Sequence, residues 1–209
     1  MSEARYRVVR VEDVEEINGW IPLRRHLGVE AFGVNAWRPQ SDGEKIIGEH
    51  DEATTLHEEL YVVTEGHATF TVDGEEIDAP AGTLVFVRDP ALNRAAAARE
   101  PGTTILTVGG KPGEAYTSLA WEENADIVPL FARGEIAEAK RRLEEAIERY
   151  PGAGGLLYNL ACAESRLGET DAALAHLDQA IEEFAGFREV AANDPDFDAI
   201  RDDPRFPRA

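Results

Sequence analysis

Apolar residues follow two different periods along this chain. Up to about residue 110 they come in short runs that alternate with polar ones. Residues 5–11 (RYRVVRV) alternate in part, and residues 32–37 (FGVNAW) mix aromatic and β-branched side chains. Leu60–Val63 and Ala68–Val72 are short runs separated by Gly66, and Asp73-Gly74 offers a tight turn before the next run. Pro80-Ala81-Gly82 punctuates again ahead of Thr83–Val87, and Thr103–Val108 closes the series. Short strands at regular spacing, with turn residues between them, predict a sandwich or barrel. The run Gly109-Gly110-Lys111-Pro112-Gly113 breaks the pattern, which places a domain boundary there: residues 1–113 and 114–209.

From about Ala120 the period becomes helical. Residues 135–150 place Ile136, Ala139, Leu143, Ala146 and Ile147 on one face, and Pro151 ends the run. A second helix is expected over 155–167, stopped by Gly168, and a third over 171–184 with Thr170 as cap. Gly134 pairs with Gly168, Ala139 with Ala173, Leu143 with Leu177, Ala146 with Ala180 and Ile147 with Ile181, every pair 34 residues apart. Glycine ends the first helix of each copy, and alanine stands where two helices approach closely.

On these residues, region 120–184 resembles the tetratricopeptide repeat family. Leu157, Leu160, Ala161, Gly168, Ala173, Leu177 and Ala180 carry the better copy. The first helix of the first copy departs from the pattern at Glu123 and Asp126. Residues 186–206 read as a capping helix and docked tail, sealed by Phe197, Ile200 and Phe206. Two repeats are marginal alone, so the first is expected to pack on the β domain or on another chain. The resemblance implies a protein or peptide partner.

Charge narrows the classes of partner. The formal net charge is −20 and the pI about 4.6. A surface of that sign repels phosphate backbones and anionic lipid, so neither nucleic acid nor membrane is expected. A single cysteine, Cys162, excludes a disulfide within the chain and reads as a small core residue of a helix. No basic stretch leads into an apolar one near Met1, so a cytoplasmic location is expected. The 18 arginines against 3 lysines point to GC-rich coding and a bacterial source.

The chemistry concentrates in residues 48–66, GEHDEATTLHEELYVVTEG, with His50-x-Glu52 and His57-x-Glu59 seven residues apart. Residues i and i+2 of a strand share a face. Glu59 and Tyr61 therefore face together, His57 joins them if the strand starts early, and His50 and Glu52 share a face one strand before. If residues 53–56 form the connection, the two pairs converge in one barrel mouth. Imidazole with carboxylate suits a divalent transition metal such as Fe(II), Mn(II) or Zn(II). The same stretch holds Glu44, Glu49, Asp51 and Glu58, and reads equally well as a solvated acidic loop. His67 alternates with Thr69 and Thr71 on a polar face and is expected at the surface.

Glu59 to Gly66, the Asp73-Gly74 turn and residues 79–87 (APAGTLVFV) are what make region 37–108 resemble the cupin superfamily. The fold implied is a small jelly-roll barrel that dimerises through sheet edges. The chain as a whole then reads as two domains, an all-β cupin jelly roll followed by an all-α tetratricopeptide-like repeat domain. A metal-binding cupin offers His-x-His, a short spacer, then Glu. Counted back from Glu59, those histidine positions fall on Ala53 and Thr55, or on Glu52 and Thr54. The histidine of the second motif falls on Asn93. By that spacing only Glu59 remains, and a set built from His50, Glu52, His57 and Glu59 needs a spacer two or three residues longer. Tyr61 and Asn93 are the expected lining of a barrel pocket.

Three functions follow. The first is a non-catalytic barrel, binding a small ligand or acting as a homodimer platform, with the helical tail holding a protein partner. The second is a metal-dependent enzyme of oxygenase or isomerase type. The third is a purely structural oligomerisation protein, which a barrel filled with large apolar side chains would favour.

Overall fold

The structure, a computed structural model, describes residues 6–39 and 43–208. The chain divides into two compact units, residues 1–118 and 119–209. In the first, β1 (Trp20–Ile21) and α1 (Leu23–Leu27) precede β2 (Gly33–Trp37) and β3 (Lys45–His50). Then come β4 (Glu58–Glu65), β5 (His67–Val72), β6 (Glu75–Pro80), β7 (Leu84–Val87), β8 (Arg94–Ala98) and β9 (Thr104–Gly110). One sheet has the order β1-β2-β9-β4-β7 and the other β3-β8-β5-β6, with every pairing antiparallel. Strands β2 to β9 are shared between two four-strand sets, β2-β9-β4-β7 and β3-β8-β5-β6. That is jelly-roll connectivity, the cupin-type fold expected from residues 59–87.

Alternation decides which side chains enter the barrel. Tyr61 and Val63 of β4, Phe70 of β5, Val85 and Val87 of β7, Ala96 and Ala98 of β8 and Ile105 of β9 form one buried cluster. The strand β8 was not legible in sequence, because Arg94-Ala-Ala-Ala-Ala98 is a run of helix formers. It is extended because it pairs on both sides, with β3 and β5, and tertiary pairing overrides propensity. The acidic β6 is an edge strand, where charge deters pairing with other chains. His67 faces outward, 2.8 Å from Asp78 on β6.

The expected strand over 5–11 does not form. Arg5 lies outside the described residues, residues 6–10 are irregular, and Val11–Asp13 is a 3-10 turn. The edge beside β2 is already taken by β1. Val9 and Val11 instead dock by their side chains on Val14, Ile21, Leu23 and Ala36.

The second unit is helical: α2 (Asn124–Ala132), α3 (Ile136–Arg149), α4 (Gly154–Arg166), α5 (Thr170–Glu183) and α6 (Phe187–Asn193). The 34-residue period reappears in the backbone. Gly134 and Gly168 have φ of 74° and 78°, the left-handed region where a Cβ is strained. Each ends its helix with the same two hydrogen bonds: Gly134 and Glu135 N–H to Phe131 and Leu130, Gly168 and Glu169 N–H to Ser165 and Glu164. Ala139 and Ala173, Leu143 and Leu177, and Ala146 and Ala180 are all fully buried. Phe197, Ile200 and Phe206 close the far end against Leu157, Leu177 and Ile181. Among the described residues no helix is long and apolar enough to cross a membrane.

Cys162 is buried in α4 with Asp194 nearby. Burial first, then the Asp194 charge, pushes its thiol well above the ordinary value.

Two outcomes are expected. Leu177→Ala leaves a cavity in the repeat core and lowers the unfolding free energy of the helical unit by about 2–5 kcal/mol. Leu167→Ala, at a half-exposed position, costs less than about 1 kcal/mol; denaturant midpoints measure both. Cys162 in the native chain reacts with an aromatic disulfide reagent on the order of 100-fold more slowly than in urea. Equal rates in the two solutions would contradict its burial.

Candidate metal centre

The site lies where β3 and β4 are joined by residues 51–57. On β3 the register against β8 shifts twice, between Lys45 and Ile47 and again between Ile47 and His50, and His50 ends directly opposite Arg94. Bulges of this kind re-aim a side chain near the end of a strand. The His50 Nδ1 lies 2.7 Å from the Gly48 carbonyl oxygen, which only accepts, so Nδ1 carries a proton. That leaves Nε2 to face the barrel end. It sits 3.8 Å from Glu52 Oε1 and 3.6 Å from Glu59 Oε2.

The connection is a turn closed by backbone hydrogen bonds, exposed at Asp51, Ala53, Thr54 and Leu56 and buried at His57. Leu56 N–H bonds back to the Glu52 carbonyl at 2.7 Å, and Glu52 N–H bonds to the Pro90 carbonyl at 2.7 Å. Leu56 takes φ of 59°, which a branched side chain rarely adopts. This geometry absorbs the longer spacer and turns both Glu52 and His57 inward. His57 is buried, its Nδ1 is 3.6 Å from Glu52 Oε2, and its ring packs 5.4 Å from that of Tyr116. The Thr55 hydroxyl donates to Glu52 Oε2.

On β4, Glu59 and Tyr61 share the inner face, and the buried Tyr61 hydroxyl donates to Glu59 Oε2. Across the sheet from Glu59 stands Gly109 of β9, where a Cβ would come within 3.1 Å of Glu59 Cγ. The absence of a side chain there makes room for the carboxylate.

All four acid and histidine candidates therefore come to one place. His50, Glu52 and Glu59 each offer a ligand atom within 4.8 Å of the others, while His57 stands behind Glu52. Asn93 is different: it is exposed and donates to Glu49 at 3.1 Å. The inward position of β8 is one residue further on, and it is held by Arg94. The sequence reading missed Arg94, because counting from Gly82 placed the inward register one residue early. Its signal was an isolated arginine opening a run of alanines.

The Arg94 side chain is fully buried. Its Nη1 donates to the Leu92 carbonyl at 2.9 Å and the Pro90 carbonyl at 3.4 Å. Its Nη2 is 3.2 Å from Glu59 Oε2, close enough for an ion pair but without hydrogen-bond alignment. Burial alone would raise the Glu59 carboxyl; His50, Tyr61 and the Arg94 charge outweigh it and hold Glu59 below its ordinary value. The His50 ring is raised, first by the Glu59 carboxylate facing it, with burial opposing and the Gly48 carbonyl assisting. Burial, then Glu59, pushes the Tyr61 hydroxyl far up, so it remains a donor.

Several comparisons bear on this fold. Residues 130–201 match the tetratricopeptide repeat family. No curated protein matches the chain. Among similar solved structures is a cupin protein from Bacteroides fragilis, 23% identical, with a TM-score of 0.42, covering 55% of this chain and 92% of that one. A predicted oxalate decarboxylase from Thermotoga maritima is 18% identical, with a TM-score of 0.42, over 50% of this chain and 99% of that one. A cupin-superfamily sugar phosphate isomerase from Silicibacter pomeroyi is 22% identical, with a TM-score of 0.38, over 49% and 68%.

The pair His50–Glu59 sets a pH window for the metal-free chain. His50 is raised above 6.5, so its contribution is full below 6.5 and is lost as pH rises through its folded value. Glu59 is lowered from 4.5, so its contribution is present above 4.5 and is lost as pH falls through its folded value. The urea midpoint of the metal-free barrel is expected to fall between about pH 6 and pH 8. His50→Gln flattens that limb; an unchanged slope would remove His50 from the account.

Proposed function

We infer that the barrel unit binds a divalent metal ion through His50 Nε2, Glu52 and Glu59, and that a small molecule takes the remaining coordination positions. The observation that carries this is the spacing of the donors. Gaps of 3.6 and 3.8 Å are too long for hydrogen bonds. They are close to the roughly 3.5 Å separation of two donors bound about 2.1–2.2 Å from one tetrahedral ion. The surroundings fit the same reading. The Gly48 carbonyl fixes the His50 tautomer, and Thr55 and Tyr61 each orient a carboxylate, as partners of ligating groups do. One imidazole and two carboxylates suit Mn(II), Fe(II) or Zn(II), and three protein ligands leave the ion open on one side.

When bound, such an ion supplies Lewis acidity to a ligand oxygen. The chain's own residues do the rest. Thr55 holds Glu52 with His57 packed beside it, Tyr61 keeps its proton and holds Glu59, and Arg94 offsets part of the carboxylate charge. The apolar cluster around Tyr61, Phe70 and Ile105 fits the purely structural reading, and the buried Arg94 among acids at the barrel's end weighs against it. In the second unit, the repeats serve as a module for a protein partner, the general role of such arrays.

The test is isothermal titration of the full chain, purified without a polyhistidine tag and stripped by chelator, with Mn(II) and with Zn(II). One ion per chain is expected. His50→Ala and Glu52→Ala should each weaken binding at least about 100-fold, and His57→Ala about tenfold. Substoichiometric binding that His50→Ala leaves unchanged would return the barrel to the metal-free, ligand-binding reading.

A further inference from the structure

The geometry points to a small organic carboxylate as the barrel's ligand, seated on the Nε–Nη2 edge of Arg94. This deepens the metal reading, on which it rests for the ligand's place beside the ion. The Arg94 side chain is buried completely, yet only Nη1 makes aligned hydrogen bonds, and Nη2 meets Glu59 as an ion pair alone. Nη1 is tied to the Leu92 and Pro90 carbonyls, which fixes the plane of the guanidinium. Nε and Nη2 have no hydrogen-bond partner among the described residues. These two atoms form one edge of the fork, with parallel N–H groups spaced for two coplanar oxygens.

Glu59 does not fill that edge. Its Oε2 receives the Tyr61 hydroxyl and faces His50, and it meets Nη2 out of alignment. An arginine keeps its charge at any ordinary pH, and interior donors without acceptors are costly, so the edge calls for an oxyanion. His50 stands opposite Arg94 across the β3–β8 ladder, which places the edge and the metal donors at the same end of the barrel. Charge selects a carboxylate over a phosphate. Glu52 and Glu59 already face the site, and a doubly charged ligand meets twice the repulsion of a singly charged one.

The experiment is nuclear magnetic resonance of the full, metal-free chain labelled with 15N. The Arg94 Nε–H signal is identified by its loss in Arg94→Lys, a variant that keeps the charge and removes the fork. Formate and acetate are expected to shift that signal saturably, and inorganic phosphate at matched ionic strength to shift it less. The backbone amides of residues 48–52 report affinity in both proteins, and Arg94→Lys should weaken formate binding roughly tenfold or more. Absence of a saturable shift in the wild-type chain overturns the proposal without reliance on the variant, as does phosphate binding more tightly than formate. Formate binding unchanged in a folded Arg94→Lys overturns it too. Mn(II) titrated into the same sample separates the two readings. Metal binding without a formate response sinks the carboxylate alone, and a formate response without metal binding sinks the metal alone.

Discussion

A guanidinium holds its proton at any ordinary pH, so Arg94 fixes a positive charge inside the barrel that something must balance. The end of the barrel is arranged around that need. Glu59 approaches it from β4, the bare Gly109 leaves Glu59 its space, and the carbonyls of Leu92 and Pro90 hold Nη1. Pro90 serves twice, since its carbonyl also anchors Glu52 through the backbone. The loop before β8 thus couples Arg94 to the turn that carries the acid and histidine pairs. Replacing this set by apolar residues of similar volume would be the more stable solution for a barrel alone.

The helical unit depends on a different constraint, the closeness of its helices. Alanine at 139, 146, 173 and 180 is fully buried, and leucine at 143 and 177 fills the space between. The left-handed glycines end each first helix in one geometry, so the second helix of each copy returns at a fixed angle. Periodicity of this kind is written in the sequence because every repeat must solve the same packing problem. That is why five residue pairs at one offset gave the architecture of residues 120–184, and why the aromatic seal at Phe197 and Phe206 could be read as well.

Legibility in the barrel was uneven for reasons that are physical. Strands with β-branched and aromatic residues, such as Leu60–Val63 and Thr83–Val87, announce themselves by alternation. Strand β8 does not, since four alanines carry no such signal and only its two neighbours make it extended. The missing strand hid the register, and a register wrong by one residue exchanges the inner and outer faces. Cupin motif spacing had put Asn93 in the pocket; Asn93 is exposed, and the buried residue beside it, Arg94, was passed over. Of the acid and histidine candidates, His50 and Glu59 lie on strands, whereas Glu52 and His57 lie in the turn between them, where the i, i+2 rule does not apply. Spacing alone left Glu59 isolated; the turn closed by Leu56 N–H on Glu52 is a tertiary fact that no count of residues contains.

The charges at this end of the barrel also say how the proposed metal ion and carboxylate would depend on one another. With His50 neutral, as a metal ligand must be, two carboxylates against one guanidinium leave a single negative charge, enough to attract a divalent ion and too little to repel an anion strongly at close range. A divalent ion reverses the sign and leaves one positive charge. A singly charged carboxylate then brings the site to neutrality, whereas a dianion would carry it past. Each occupant strengthens the other, and by linkage the coupling is mutual: whatever factor the metal adds to the affinity for the carboxylate, the carboxylate adds to the affinity for the metal. Arg94 works in the opposite sense on the first step, since its charge stands against an incoming cation. A site built for metal alone would gain from a neutral residue at that position. One for metal and carboxylate together, as proposed above, would need the arginine, whose Nε and Nη2 lack hydrogen-bond partners and whose Nη2 lies 3.2 Å from Glu59.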